Sequence, residues 1–256
     1  MKVSKMIWMC LIILILISGT AWAGKYVVGL GAGMAPDYEG SEDYNAVPAL
    51  MFKGNYDSGR YFSLQGTNFK LNVIPSNTFS FGPVLNYRME RDDVDNDQVD
   101  AMDKIDSSFE AGAFGAYNID NFMLGLEVVT DVSDEHDGTL VKAIVGYKWQ
   151  AMPKLMITPT IFTTYADDDY MDTYFGVNDG NRGSSTLLPN YEADGGMKDF
   201  GINISAHYTP WQHWGVMGLL SYSSLLNDAK DSPIVDDEGD KNQVYFGLMA
   251  TYRWGM

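Results

Sequence analysis

Phe246, Leu248, Ala250, Tyr252 and Trp254 occupy every second position near the end of the chain, with Gly247, Met249, Thr251 and Arg253 between them. A period of two marks a β-strand with one apolar and one mixed face. The alternation recurs at Tyr26, Val28, Leu30 and Ala32, and at Phe79, Phe81, Leu85 and Tyr87. It returns at Phe109, Ala111, Ala113 and Tyr117, at Phe122, Leu124, Leu126 and Val128, and at Val141, Ala143, Val145 and Tyr147. Leu155, Ile157, Pro159 and Ile161 continue it, then Phe200, Ile202, Ile204 and Ala206, then Trp214, Val216, Gly218, Leu220 and Tyr222. Val47, Ala49 and Met51 suggest a further strand, and 61–64 and 69–73 two short ones around Gly66. Aromatic residues gather at the ends of the apolar faces, where membrane interfaces place them.

The pattern predicts an all-β, antiparallel transmembrane β-barrel with its apolar face turned to lipid. Connections alternate between short and long. Short ones fall at Pro75, Asp120-Asn121, Met152-Pro153 and Trp211, and long ones at 36–43, 91–104, 166–197 and 227–241. Bacterial barrels keep short turns in the periplasm and long loops outside, with an even strand count. Splitting 61–73 at Gly66 keeps every long loop on one side and gives about twelve strands. An irregular hairpin there would give ten.

The first 23 residues read as a targeting segment. Lys2 and Lys5 precede the apolar run from Ile7 to Ile17, and Ala21-Trp22-Ala23 offers a small-x-small cleavage site. That run is shorter than the roughly 20 residues of a spanning helix. Residues 24–256 are then one barrel domain. Cys10 leaves with the leader, so thiol and disulfide chemistry are not expected of the barrel.

The formal charge is −17. Without Lys2 and Lys5, 15 basic residues face 34 acidic ones, a charge of −19. Such a chain does not bind nucleic acid through its phosphates. Most of the acids sit in a few loops, so the long extracellular loops are expected to be acidic.

Three loop motifs carry a more specific likeness. They are Pro36-Asp37-Tyr38-Glu39-Gly40-Ser41, then Asp167-Asp168-Asp169-Tyr170-Met171-Asp172-Thr173-Tyr174-Phe175-Gly176, and the segment from Leu225 to Val235. In this order they resemble the MipA/OmpV family of MltA-interacting outer-membrane proteins, across essentially the whole chain after the leader. Gly255 and Met256 after Trp254 depart from the aromatic last residue of many outer-membrane proteins. The resemblance implies a Gram-negative outer-membrane protein without enzymatic activity or cofactor. Its founding members look like scaffolds holding a lytic transglycosylase near a murein synthase. Periplasmic murein-remodelling enzymes and outer-membrane lipid are therefore the implied partners. Other members are associated with osmotic response, antibiotic sensitivity or adhesion.

The residues themselves leave several chemistries to weigh. Asp167, Asp168, Asp169 and Asp172 supply the carboxylates a divalent cation wants, but without EF-hand spacing or its central glycine. A solvated strand-to-loop transition is the favoured reading, with Tyr170, Tyr174 and Phe175 anchoring the loop at the rim or folding it over the mouth. Opposite in phase to the apolar series stand Arg88, Glu110, Glu127, Asp131, Lys142, Lys148, His207 and Arg253. Their mixed signs favour ion pairs plugging a narrow lumen, and a small cation-preferring channel is the alternative. An enzyme would need a nucleophile beside a base. His136 and His213 lie in turns, and His207 is about 7 Å along the strand from Ser205, too far for proton transfer.

Overall fold

The computed structural model describes residues 24–183 and 186–255; the leader expected at 1–23 lies outside them. Thirteen strand segments run as β1 (Gly24–Pro36), β2 (Tyr44–Tyr56), β3 (Tyr61–Gln65), β4 (Asn68–Asn72), β5 (Phe79–Arg88), β6 (Ser108–Ile119) and β7 (Phe122–Asp131). Then come β8 (Thr139–Tyr147), β9 (Trp149–Met152), β10 (Leu155–Ala166), β11 (Gly196–Tyr208), β12 (Trp214–Leu225) and β13 (Asn242–Trp254). Segments β8 and β9 are one wall strand broken at Lys148, and both pair with β10. Each strand pairs antiparallel with its sequence neighbour, and β13 pairs with β1 to close the ring. The result is a closed twelve-stranded antiparallel barrel. The 61–72 hairpin is regular, with Tyr61 paired to Asn72, which settles twelve over ten.

Closure brings β1 and β13 very close. A side chain at Gly31 would strike the Leu248 carbonyl, so the glycines on this lumen face set the spacing of the seam.

The registers propagate one outward face around the ring. Leu30 stands opposite Leu50 and Ala250, Leu126 opposite Gly115 and Ala143, and Ile161 opposite Val145 and Ile202. Leu30, Phe81, Leu126, Ile161 and Phe246 are all about half exposed or more, as residues on a lipid-facing belt must be. On β2 the apolar residues Val47, Ala49 and Met51 face the lumen instead, because both phases of that strand are apolar; Pro48, Leu50 and Phe52 face out. At the periplasmic end Tyr26, Phe52, Phe62 and Trp254 stack into an aromatic girdle.

Both described ends of the chain lie at the periplasmic rim, with the turns 57–60, 73–78, 120–121, 153–154 and 209–213. Opposite them lie six loops: L1 (37–43), L2 (66–67), L3 (89–107), L4 (132–138), L5 (167–195) and L6 (226–241). Four short helices form within them: α1 (Asp97–Asp100), α2 (Asp168–Phe175), α3 (Asn227–Asp231) and α4 (Pro233–Asp236). Among the described residues no helix is long and apolar enough to cross a membrane.

Much of the hydrophobic core sits at the outer mouth. Tyr170, Met171 and Phe175 of α2 pack with Leu225, Ala229 and Val235, while Tyr38, Val99, Val177, Leu188 and Ile234 form a second cluster. A smaller cluster of Met51, Met217, Met249 and Ala49 fills part of the lumen wall.

Candidate functional site

The Asp-rich motif folds as helix α2, not as a strand-to-loop transition. Its eight residues are too few to stand alone in water, so packing and caps hold them. Asp167 is the N-cap; its carboxylate accepts the Tyr170 N–H at 3.2 Å and the Thr139 N–H at 2.8 Å. Asp168 accepts the Gly195 N–H at 2.7 Å, and Asp172 accepts from the Asn178 amide. Asp168 and Asp169 also place negative charge in the first turn, where the helix dipole favours it. These carboxylates serve the helix and the loop, and among the described residues no cluster of metal-ligating side chains is found. The spacing of Tyr170, Met171, Tyr174 and Phe175 gives one buried face, which fills the outer mouth.

Beneath α2 lies a network of charges. Glu39 is carried inward by the L1 turn, which needs Gly40: its φ is +100°, and a side chain there would meet Val235. Glu39 accepts a 2.6 Å hydrogen bond from the Tyr170 hydroxyl, pairs with Lys198, and lies 3.8 Å from Arg88. Arg88 donates to Glu110 at 2.7 Å and stacks over Tyr170 and Tyr174, 4.8 and 5.3 Å from the ring centres. Glu110 also accepts from Asn86 at 2.7 Å, and His136 Nε2 stands 3.3 Å away, off the line of a good hydrogen bond. The other ring nitrogen, Nδ1, accepts the Gly138 N–H, so the His136 proton sits on Nε2, facing Glu110.

Burial raises the Glu39 carboxyl, but Lys198 and Arg88 more than offset this and hold it below its ordinary value. Burial pushes the Tyr170 hydroxyl well above its ordinary value and the Tyr174 hydroxyl up to about 12.

Lys198 and its neighbour Asp199, paired at 2.7 Å, are both buried. Adjacent strand residues ordinarily face opposite ways. A register shift opposite Thr164 and Tyr165 makes a bulge here and turns both inward.

Deeper in the lumen, Glu127 pairs with Lys70 and accepts from Asn68 at 3.0 Å. Lys142, its rung partner on β8, lies instead over the Phe162 ring at 4.2 Å. His207 bonds Thr251 at 3.0 Å. The remaining members of the lumen-phase series sit at the rims. Asp131 accepts the N–H groups of Ser133, Glu135 and His136 and so closes L4. Lys148 is exposed at the strand break and donates to Asn118, and Arg253 donates to the Gln212 and Trp211 carbonyls of a periplasmic turn. Arg88, Glu110, Glu127, Lys142 and His207 thus share the lumen, while Asp131, Lys148 and Arg253 are braces.

Lys70, Lys198, Asp199 and Arg91 belong to the outer mouth or the lumen without having been singled out in the sequence, and His136, weighed there only as a base in a turn, joins them beside Glu110. Asp199 stands one residue before the apolar Phe200 series, in lumen phase, which is a usable signal; Lys198 shares the phase of Phe200 and turns inward only through the bulge, which the period of two does not show. Nothing near His136 marks it.

The family model described as MltA-interacting protein MipA matches residues 28–254. A putative outer membrane protein YiaT of Escherichia coli K12 is 26% identical over 221 residues, 85% of this chain and 87% of that one. The MltA-interacting protein of the same organism is 25% identical over 242 residues, 91% of each. Among solved structures, an outer membrane channel from Pseudomonas putida F1 superposes with a TM-score of 0.47 at 11% identity, covering 92% of this chain and 97% of that one. With every strand inside the matched span except the first four residues of β1, the chain belongs to the MltA-interacting protein family of outer-membrane β-barrels.

Proposed function

We propose that this barrel is a non-enzymatic interaction protein that stays shut and offers its periplasmic rim to a murein-remodelling enzyme. The observation that carries the reading is the plug. Helix α2 and the Glu39–Arg88–Glu110 network occupy the outer mouth, and Glu127, Lys70 and Phe162 fill the lumen below. The name of the MltA-interacting relative points to the partner class. The three histidines support a structural role, since His136 accepts the Gly138 N–H while His207 and His213 bond Thr251 and the Arg253 carbonyl.

The rim supplies a docking feature. Arg253 fixes the turn that presents Trp211, which is 63% exposed. Lys25, Arg60, Lys148, Lys154 and Arg253 surround the rim against Asp57 and Asp120, so it is cationic beneath acidic outer loops. Envelopes crosslinked in vivo should yield murein enzymes with the purified barrel, and Trp211→Ala should reduce that recovery. An intact barrel that brings down no murein enzyme overturns the reading.

A second reading, a narrow cation-preferring channel, rests on the polar lumen and the acidic mouth. Planar-bilayer recordings separate the two: the plug predicts little or no conductance.

A further inference from the structure

The barrel wall has a window. β2 is thirteen residues long, yet it pairs with β3 only from Met51 to Asn55. The 61–72 hairpin turns at Gly66, whose N–H donates to the Leu50 carbonyl as the last bond on that side. Above it no rung joins β2 residues 44–49 to a strand on the hairpin side, a stretch of about 20 Å. The opposite bank is β5, which meets the hairpin tip through the Tyr87 N–H and the Thr67 carbonyl. L3 leaves β5 and closes the top, where the Asp95 N–H reaches Asp37 and Asn96 reaches Glu238.

This opening lies at the level of the apolar belt. Ala46 is the rung partner of Met34, and Met34 that of Phe246, both of which are about half exposed. Because the Leu50 carbonyl points at the window, so do the backbone groups of Pro48 and Ala46. Pro48 brings no N–H to this edge, which removes one donor that lipid could not satisfy. The remaining groups are tolerated at membrane depth only if the opening is wet or filled.

A cavity of ≈ 410 Å³ meets the window at its hairpin and β5 bank, through Thr67 and Tyr87, and is lined further in by Tyr38, Arg91, Ser223 and Tyr245. Arg91 is only 5% exposed. Its Nη1 donates to the Tyr174 carbonyl at 3.1 Å, whereas Nε and Nη2 have no partner among the described residues. A buried guanidinium normally meets an anion. The acids of the same wall are committed elsewhere: Glu39 to Lys198 and Arg88, Asp37 to Asn45 and the Asp95 N–H, and Glu90 is itself partnered. The Nε–Nη2 edge is one that receives a carboxylate or phosphate with two parallel hydrogen bonds.

We propose that this cavity holds a single-chain amphiphile with an anionic head, seated on the Nε–Nη2 edge of Arg91, whose chain leaves through the window into the outer leaflet. The volume suits a headgroup and the first part of a chain. Both nitrogens are closed off from solvent, so the head reaches them by drawing Arg91 from its Tyr174 contact.

The test is binding to the full barrel in neutral micelles, with oleate, dodecyl phosphate, inorganic phosphate and oleyl alcohol as probes. Oleate or dodecyl phosphate should saturate one site, and the stronger of the two tells a fatty carboxylate from a lipid phosphate. Inorganic phosphate and oleyl alcohol should bind about tenfold or more weakly, and Arg91→Gln should cost the anionic amphiphiles about tenfold while sparing the alcohol. Retained heat-modifiable gel mobility shows that the variant is folded. Thr67→Trp, on the window sill, should also weaken the amphiphiles and decides the matter if Arg91→Gln does not fold. Unchanged amphiphile affinity in the folded variants, equal affinity for inorganic phosphate, or no oleate or dodecyl phosphate binding at all overturns the proposal.

Discussion

A lysine at Leu126 and a lysine at Glu127 test the two faces of the wall, one residue apart. Leu126 is 51% exposed on the lipid side of β7. A cation there, near mid-strand, should destabilise the barrel by about 2–4 kcal/mol, the cost of Lys or Arg near the bilayer midplane. Glu127 faces the lumen, is 8% exposed, and holds Lys70 and the Asn68 amide. Glu127→Lys would leave Lys70 unpaired beside a new cation, with Lys142 on the adjacent rung. Removing one partner of a buried pair costs about 3–5 kcal/mol; the 25% exposure of the Lys70 side chain argues for the lower part of that range. The two losses are therefore similar in size and differ in their remedy. Lys70→Glu should restore much of the stability of Glu127→Lys by reversing the pair, and should do nothing for Leu126→Lys. The assay is folding into lipid vesicles with urea midpoints, where about 3 kcal/mol moves the midpoint by roughly 1–3 M. Rescue of Leu126→Lys by Lys70→Glu, or a Leu126→Lys barrel as stable as the parent, would refute the assignment of faces.

Tyr170→Phe removes the hydroxyl bonded to Glu39 and should cost about 1.5 kcal/mol, the lower end for a bond to a charged group, because a quarter of the Glu39 side chain stays open; protease sensitivity of L5 should rise with it. Asp167→Ala should cost about 0.5–2 kcal/mol through the lost N-cap, read as the same sensitivity. The packed mouth should hold between two pH limits. Glu39, held below 4.5, contributes stability that is present above that value and is lost as pH falls through its lower folded value. Tyr170 and Tyr174, raised above 10.0, contribute stability that is present below that value and is lost as pH climbs, through about 12 for Tyr174. Tyrosine fluorescence and limited proteolysis against pH should show both edges, and a flat response across the acid limb would remove Glu39 from the account. Replacing α2 with a short Gly-Ser linker should turn a nearly silent barrel into a conducting one in planar bilayers.

The barrel was legible because lipid on one side and lumen on the other impose a period of two on every wall strand. Leu124, Leu126 and Val128 show it plainly, with Glu127 between them in opposite phase. The side rule for loops placed the division at Gly66. The phase of β2 was not legible, since Val47, Ala49 and Met51 are as apolar as the Leu50 and Phe52 that face lipid. Helix α2 was obscured by four carboxylates that read as solvation, although they cap it and tie down its loop. Its Tyr170, Met171, Tyr174 and Phe175 do follow helical spacing, but eight residues give that period little length to show itself. Across the lumen, partner choice depends on barrel curvature and shear, which no local pattern encodes. Glu127 therefore meets Lys70, 57 residues earlier in the chain, and not its rung neighbour Lys142.

Because L6 packs against α2 in one hydrophobic cluster and against L1 in the next, the outward-facing surface is one folded unit and not a set of independent loops. An antibody or phage meeting this surface reads shapes assembled from segments some 200 residues apart, such as Ser41 bridged to Gly239. Peptides copied from single loops should be poor immunogens for the native protein. Antigenic drift is constrained in the same way: a change in L6 that disturbs Val235 also disturbs Gly40 in L1, so surface variants should come as coupled sets across loops.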